Sequence, residues 1–171
     1  MGERRVQGGF AGRLLYVDLG SEEFELKALP DADVLRDVVG GIGLGLRLLL
    51  DDAPPHVQAS DPEAPLMFMA GPLAGTAAPS SSNLAVVALN RNTPYAAATG
   101  HSHGFWAAYL KHAGYDGVVF TGRAAKPSYL WIDDDHVELR DASSFWGLDT
   151  RETERRIKLE LGDEERISVA C

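Results

Sequence analysis

Five short apolar runs set the terms on which this chain can fold: 14–18 (LLYVD), 66–70 (LMFMA), 84–89 (LAVVAL), 118–120 (VVF) and 129–133 (YLWID). Each has strand length, is rich in strand formers, and is bounded by glycine, proline or acidic turn residues. None is long enough to be a self-sufficient helix. A chain punctuated in this way must build its core by pairing strands that are distant in sequence.

Turn chemistry and periodicity fill in the rest. Gly20-Ser21-Glu22 follows the first run, and Phe24 to Lys27 then alternates apolar and polar residues, which predicts a β-hairpin. Pro30-Asp31 opens a helical pattern carrying Val34, Leu35, Val38 and Val39 on one face, with Asp31 or Asp33 as N-cap. The glycines at 40–45 are expected to break that helix, and 46–50 (LRLLL) to resume a buried one. Residues 51–65, with four prolines, read as a surface loop, and 71–82 as a turn-rich segment. After a turn at 90–94, a short strand is expected at 95–99, with 100–104 (GHSHG) leading into a helix over 105–112 and Gly114 just past its end. Asp149 to Glu152 has the D-x-x-E form of a capping box, beginning a helix that ends at Gly162. Residues 167–171 (ISVAC) predict one more strand.

The segments LLYVDLGSEEFELKAL (14–29) and YLWIDDDHVELRDA (129–142) echo one another. Each is an apolar strand, an acidic turn and an alternating strand, and each precedes a helix. The expected fold class is therefore α+β: a β-rich domain with duplicated hairpin–helix units.

Charge narrows the function. Twenty-five Asp and Glu against 16 Lys and Arg leave a net charge of −9, which argues against nucleic acid or an anionic membrane as the main partner. One cysteine, Cys171, offers neither an internal disulfide nor a C-x-x-C cluster for zinc or iron–sulfur. Residues 1–7 are polar with no apolar stretch after them, and no run approaches membrane-spanning length. A cytoplasmic chain is expected.

Three motifs bear on chemistry. The glycines at 40–45 lack both a preceding strand and G-x-G-x-x-G spacing, so tight packing between helices explains them better than nucleotide binding. The stretch from Ala70 to Asn83 is small, hydroxyl-rich and turn-forming between two apolar strands, suited to close contact with a phosphate or a flat polar heterocycle, although composition alone favours a plain long turn. His101-Ser102-His103, between glycines, reads either as a two-histidine metal site for which no third ligand can be placed, or as an anion site at a helix start; the second is preferred. Asp133-Asp134-Asp135 lacks the glycine and closing glutamate of a calcium loop and reads as a solvated hairpin tip.

Taken in order, GRLLYVDLGS, GGIGLG, AGPLAGTAAP and LKHAGYDGVVFTGRAAKPSYLWI resemble the N-terminal domain of the aldehyde:ferredoxin oxidoreductases, over about Gly12 to Cys171. The resemblance implies a duplicated β-rich base for a tungsten (sometimes molybdenum) bis-pyranopterin cofactor. It implies further domains supplying a [4Fe–4S] cluster and the substrate channel, and oxidation of an aldehyde to a carboxylic acid with electrons passed to ferredoxin. It places the cofactor contacts on Ser81, Ser82 and Asn83, and on His101, Ser102, His103 and Gly104. The family pattern carries Arg where this chain has Asn83, Asn where it has His101 and Gly where it has His103. A fixed, forked positive charge is thereby lost.

On this reading residues 1–171 are one N-terminal, cofactor-base domain, with the iron–sulfur and substrate domains absent and no catalytic residue of its own. The chain would be a truncated version, a split-gene subunit completed by a partner, or a free-standing remnant. The alternative function is a non-catalytic scaffold or binding module that keeps the fold without the cofactor. Strand edges left bare would then favour a homodimer.

Overall fold

The computed structural model describes residues 8–162 and 167–171. The polar start at 1–7 lies outside the described residues.

All five apolar runs form strands. The first, β1 (Arg13–Asp18), pairs antiparallel with β2 (Glu23–Ala28), as the hairpin reading expects. Helices α1 (Ala32–Val38) and α2 (Gly41–Asp52) follow, then β3 (Leu66–Ala70), β4 (Asn83–Leu89), β5 (Ala97–His103), α3 (Trp106–His112) and β6 (Gly117–Thr121). The chain continues through the β7 (Ser128–Asp133) and β8 (His136–Asp141) hairpin into α4 (Thr150–Leu161). Six strands make one sheet in the order β2-β1-β6-β3-β4-β5, with β1 and β6 parallel and every other pair antiparallel; β7 and β8 form a second sheet. Both hairpin–helix units are thus present, β1-β2-α1 and β7-β8-α4, but in different sheets.

The period-2 alternation of the strands fixes the two faces of the large sheet. Leu14, Met67, Met69, Ala85, Val87 and Val119 point to one face, where Leu44, Leu48 and Leu49 of α2 and Leu35 of α1 cover them. On the other face Leu15, Val17 and Val118 meet Leu110, Tyr115 and the inner side of the β7–β8 hairpin. Leu84 and Ala70 meet Ala107 of α3 on that same face.

The glycine run behaves differently from expectation. The helix break falls at Val39 and Gly40, whose φ angles are +63° and +148°, while Gly41, Gly43 and Gly45 lie inside α2. Close approach explains them. A Cβ on Gly43 would sit 2.2 Å from the Val38 carbonyl oxygen of α1, and one on Gly45 would sit 2.7 Å from Val87 Cγ2 of β4. The tight contact is therefore helix against sheet as well as helix against helix.

Two further expectations are corrected. The short strand placed at 95–99 is β5, Ala97–His103, so His101, Ser102 and His103 belong to a strand and α3 starts only at Trp106. Glycine and histidine have weak strand preference, but the whole edge of β4 demands partners, and that tertiary demand overrides local composition. Residues 167–171 form no strand; among the described residues nothing pairs with their backbone. The D-x-x-E cap behaves as expected, with Asp149 accepting from the Glu152 amide at 2.9 Å and Gly162 ending α4 in the left-handed conformation.

One polar junction locks the sheet to its N-terminal approach. Asp116 is 1% exposed. It is ion-paired with Lys111, and its carboxylate accepts from the amides of Ala11 (3.0 Å) and Gly12 (2.6 Å). Lys111 also donates to the Gly9 carbonyl.

Candidate functional site

The antiparallel register of β4 and β5 brings together the two segments singled out in the sequence. Asn83 lies opposite His103, Leu84 opposite Ser102, and Ala85 opposite His101. Directly opposed residues share a face, so Asn83, His101 and His103 lie on the α2 side, while Ser102 points to the α3 side. Nδ1 of the His101 imidazole lies in hydrogen-bond contact with the Asn83 side-chain oxygen at 3.2 Å. Because β5 is the sheet's edge strand, the row faces solvent, and His101, Ser102, His103 and Gly104 are all exposed.

The approach to β4 contributes the other half. Ser80 adopts φ +57°, a left-handed conformation unusual for a residue with a side chain, and Ser81 and Ser82 follow it to Asn83. The Ser82 hydroxyl oxygen is buried and has no hydrogen-bond partner, a cost that a buried polar atom ordinarily avoids. At the other corner Gly104, at φ +134°, has nothing within 4 Å of where a Cβ would stand, leaving open space beside His103. The N-terminus of α2 lies over this end of the sheet: Gly41 faces Ala85, the cross-strand partner of His101.

His101 and His103 are therefore not at a helix start, and the expected helix-start anion site is replaced by an edge-strand row. Among the described residues no group of three or more His, Cys, Asp and Glu side chains is placed to hold a metal ion. The Asp133–Asp135 segment is the exposed tip of the β7–β8 hairpin, as expected, with Asp135 paired to Arg13 at 2.9 Å and the Tyr115 hydroxyl donating to the Asp134 carbonyl at 3.0 Å.

One signal in the sequence marks the site and lies outside motif reading. From Ala64 to Tyr115 there is not one Asp or Glu, in a chain of net charge −9. The only permanent charges in that stretch are Arg91, in the β4–β5 turn, and Lys111, consumed by Asp116. The row is thus a neutral, donor-rich strip on an acidic molecule.

A second concave feature lies on the opposite face. A cavity of about 850 Å³ opens between the large sheet, the β7–β8 hairpin, α4 and residues 167–171, lined by Phe68, Trp106, Tyr129, Trp131 and Phe145 among others. Its lining is predominantly apolar and rich in aromatic side chains.

The fold and the strip together define an α+β domain that presents a polar sheet edge beside a helix N-terminus. The profile of the family described as "Aldehyde ferredoxin oxidoreductase, N-terminal domain" matches residues 14–171, and the chain belongs to that family. It is 38% identical over 93% of its length to a tungsten-containing aldehyde ferredoxin oxidoreductase of Pyrococcus furiosus. It is 32% identical over 92% of its length to an aliphatic sulfonate oxidoreductase, WOR-like subunit, of the same organism. Among solved structures, a chain of the active site complex BamBC of benzoyl coenzyme A reductase, with 1,5-dienoyl-CoA, superposes with a TM-score of 0.87 at 38% identity, covering 93% of this chain and 24% of that one. The chain spans about a quarter of the length of the curated relatives it matches. No helix among the described residues is long and apolar enough to cross a membrane.

The family implies a tungsten-pterin group, and the residues present fit one. The unpartnered Ser82 hydroxyl, the Asn83 carboxamide, the two imidazoles and the open corner at Gly104 offer hydrogen bonds and close approach to a flat, heteroatom-rimmed ring or its oxyanion substituent.

Proposed function

We propose that this chain is the cofactor-base portion of a tungsten or molybdenum bis-pyranopterin oxidoreductase, completed by the remainder of the enzyme or by a partner subunit. The observation that carries this reading is the register that sets Asn83 opposite His103 on an open edge, uniting the two loops the resemblance points to. Ser81, Ser82, Asn83, His101, Ser102, His103 and the backbone at Gly104 would hold and orient the pterin. The group, when bound, supplies the two-electron chemistry that converts an aldehyde to a carboxylate, with a [4Fe–4S] cluster outside this chain relaying electrons to ferredoxin. This chain's own residues bind and orient; none of them acts on substrate.

Relatives named for aldehyde, aliphatic sulfonate and benzoyl-CoA chemistry are similar to this chain over the same domain, which supports placing substrate choice in polypeptide outside it. The predominantly apolar lining of the 850 Å³ cavity beside residues 167–171 supports reading it as the surface on which that polypeptide packs. The proposed setting is the cytoplasm.

The lack of Arg and Lys in residues 80–83 and 101–104 favours a second reading, a scaffold that keeps the fold and has lost the cofactor, its bare edges β2 and β5 covered in a homodimer. Metal analysis and fluorescence of released, oxidised pterin, on material purified with and without the products of neighbouring genes, separate the two. Pterin with tungsten or molybdenum in the complex supports the first reading. A well-folded, pterin-free dimer under every condition replaces it with the second.

A further inference from the structure

We propose that the cavity between the β7–β8 hairpin and residues 167–171 is a slot for one extended polypeptide strand, uncharged and apolar on one face, that adds to the free edge of β7. The strand belongs to the polypeptide that makes up the other part, about three quarters, of the relatives' length. This rests on reading the chain as one completed by further polypeptide, and not on the pterin contacts.

Strand parity locates the slot. Leu130 and Ile132 of β7 face inward with their cross-strand partners Leu139 and Val137, so Tyr129, Trp131 and Asp133 face outward. All six residues of β7, from both of its faces, line the cavity, whereas β8 contributes only the inward Leu139. A hollow bounded by both faces of one strand and one residue of its neighbour runs along the first strand's far edge. β7 pairs with β8 alone, and among the described residues no backbone hydrogen bond reaches 128–133 from the other side. A second consecutive run, Ile167 to Cys171, also lines the cavity and joins no ladder. Two stretches of unpaired backbone therefore border one hollow. The large sheet and α3 add an aromatic trio, Phe68 with Trp106 and Phe120 each 5.7 Å from it between ring centroids.

The four free strand edges of the molecule are unlike. β2 carries Glu23, Glu25 and Lys27, and β8 carries Glu138, Arg140 and Asp141, the charge that ordinarily keeps an edge from pairing. β5 carries Gly100 and no large apolar side chain. β7 (SYLWID) has no charge before Asp133, and Asp133 is the one charged residue in the whole lining. Trp146, also in the lining, is 76% exposed, a large apolar side chain left in water. An apolar small molecule would fill the hollow and leave the edge N–H and C=O groups without partners. An added strand satisfies the backbone and covers the aromatic surface together.

The test is amide hydrogen exchange at single-residue resolution on the full 171-residue chain, alone and co-purified with the products of neighbouring genes. In the chain alone the β7 amides directed to the free edge, about half of them, should exchange fast. In the assembly those same amides should slow at least tenfold. Trp146→Glu should weaken the assembly at least tenfold and keep the chain's melting transition, because the indole is exposed. Leu50→Glu, at a comparably exposed site on α2, should change neither. Equal β7 exchange in the two states, equal effects of the two variants, or failure of any assembly to form would overturn the proposal. So would self-association of the chain that Trp146→Glu abolishes, which hands the slot to a second copy. Slowed β7 amides in a pterin-free assembly would leave this inference standing and sink the cofactor reading; pterin in an assembly whose β7 amides stay fast would do the reverse.

Discussion

Helix α3 separates two polar clusters of opposite character. At its C-terminal end, Lys111 in the last turn and Asp116 just beyond it are almost wholly buried, paired, and bonded to backbone at Gly9, Ala11 and Gly12. Before its N-terminal end, His101, Ser102 and His103 lie open on an edge strand, with one side-chain hydrogen bond to Asn83 and a neighbouring Ser82 hydroxyl left unpartnered. A satisfied, dehydrated network serves the fold. A row of exposed donors with unused capacity contributes little to stability and is available to a ligand.

The sharpest way to break this contrast is at the buried junction. Asp116→Ala strands the Lys111 ammonium and two backbone amides in the interior, and should cost about 3–5 kcal/mol in urea denaturation. A loss below about 1 kcal/mol would place the junction on the same footing as the exposed row and dissolve the distinction.

Helix α4 sharpens the comparison, because it is exposed and structural at once. Hydrogen bonds from Arg155 and then Arg156 hold the Glu152 carboxyl down at about 2, against an ordinary value of 4.5. A carboxyl depressed in the folded state adds stability above about pH 4.5 and loses it as pH falls through about 2. Comparing the parent with Glu152→Gln by circular dichroism should show the parent's advantage declining over that window. An advantage that stays constant down to pH 2 would mean the arginine contacts do not persist in solution.

Much of the fold was legible because apolar content decides it. The runs at 14–18, 66–70, 84–89, 118–120 and 129–133 became β1, β3, β4, β6 and β7 since each has to bury its alternate residues on a sheet face. Strand β5 was not legible in full: GHSH has no such imperative, and only the unpaired edge of β4 draws it into register. The run LKHAGYDG stood out as specific in sequence, yet its reason, a buried pair bonded to residues about a hundred positions earlier, is a long-range fact. The candidate residues at 81–83 and 101–104 came from family resemblance. Their being neighbours depends on strand register, which the turn-rich 71–82 and 90–96 segments do not encode locally.

The central claim is that the edge formed by 80–83 and 101–104 is a binding surface for the pterin-bearing assembly. Amide hydrogen exchange, read by mass spectrometry on the chain alone and in its pterin-containing complex, tests it directly. The account predicts strong new protection across both segments in the complex, with exchange of the Ala11 and Gly12 amides bonded to Asp116 unchanged. Exchange at 80–83 and 101–104 that is the same in both states would contradict it.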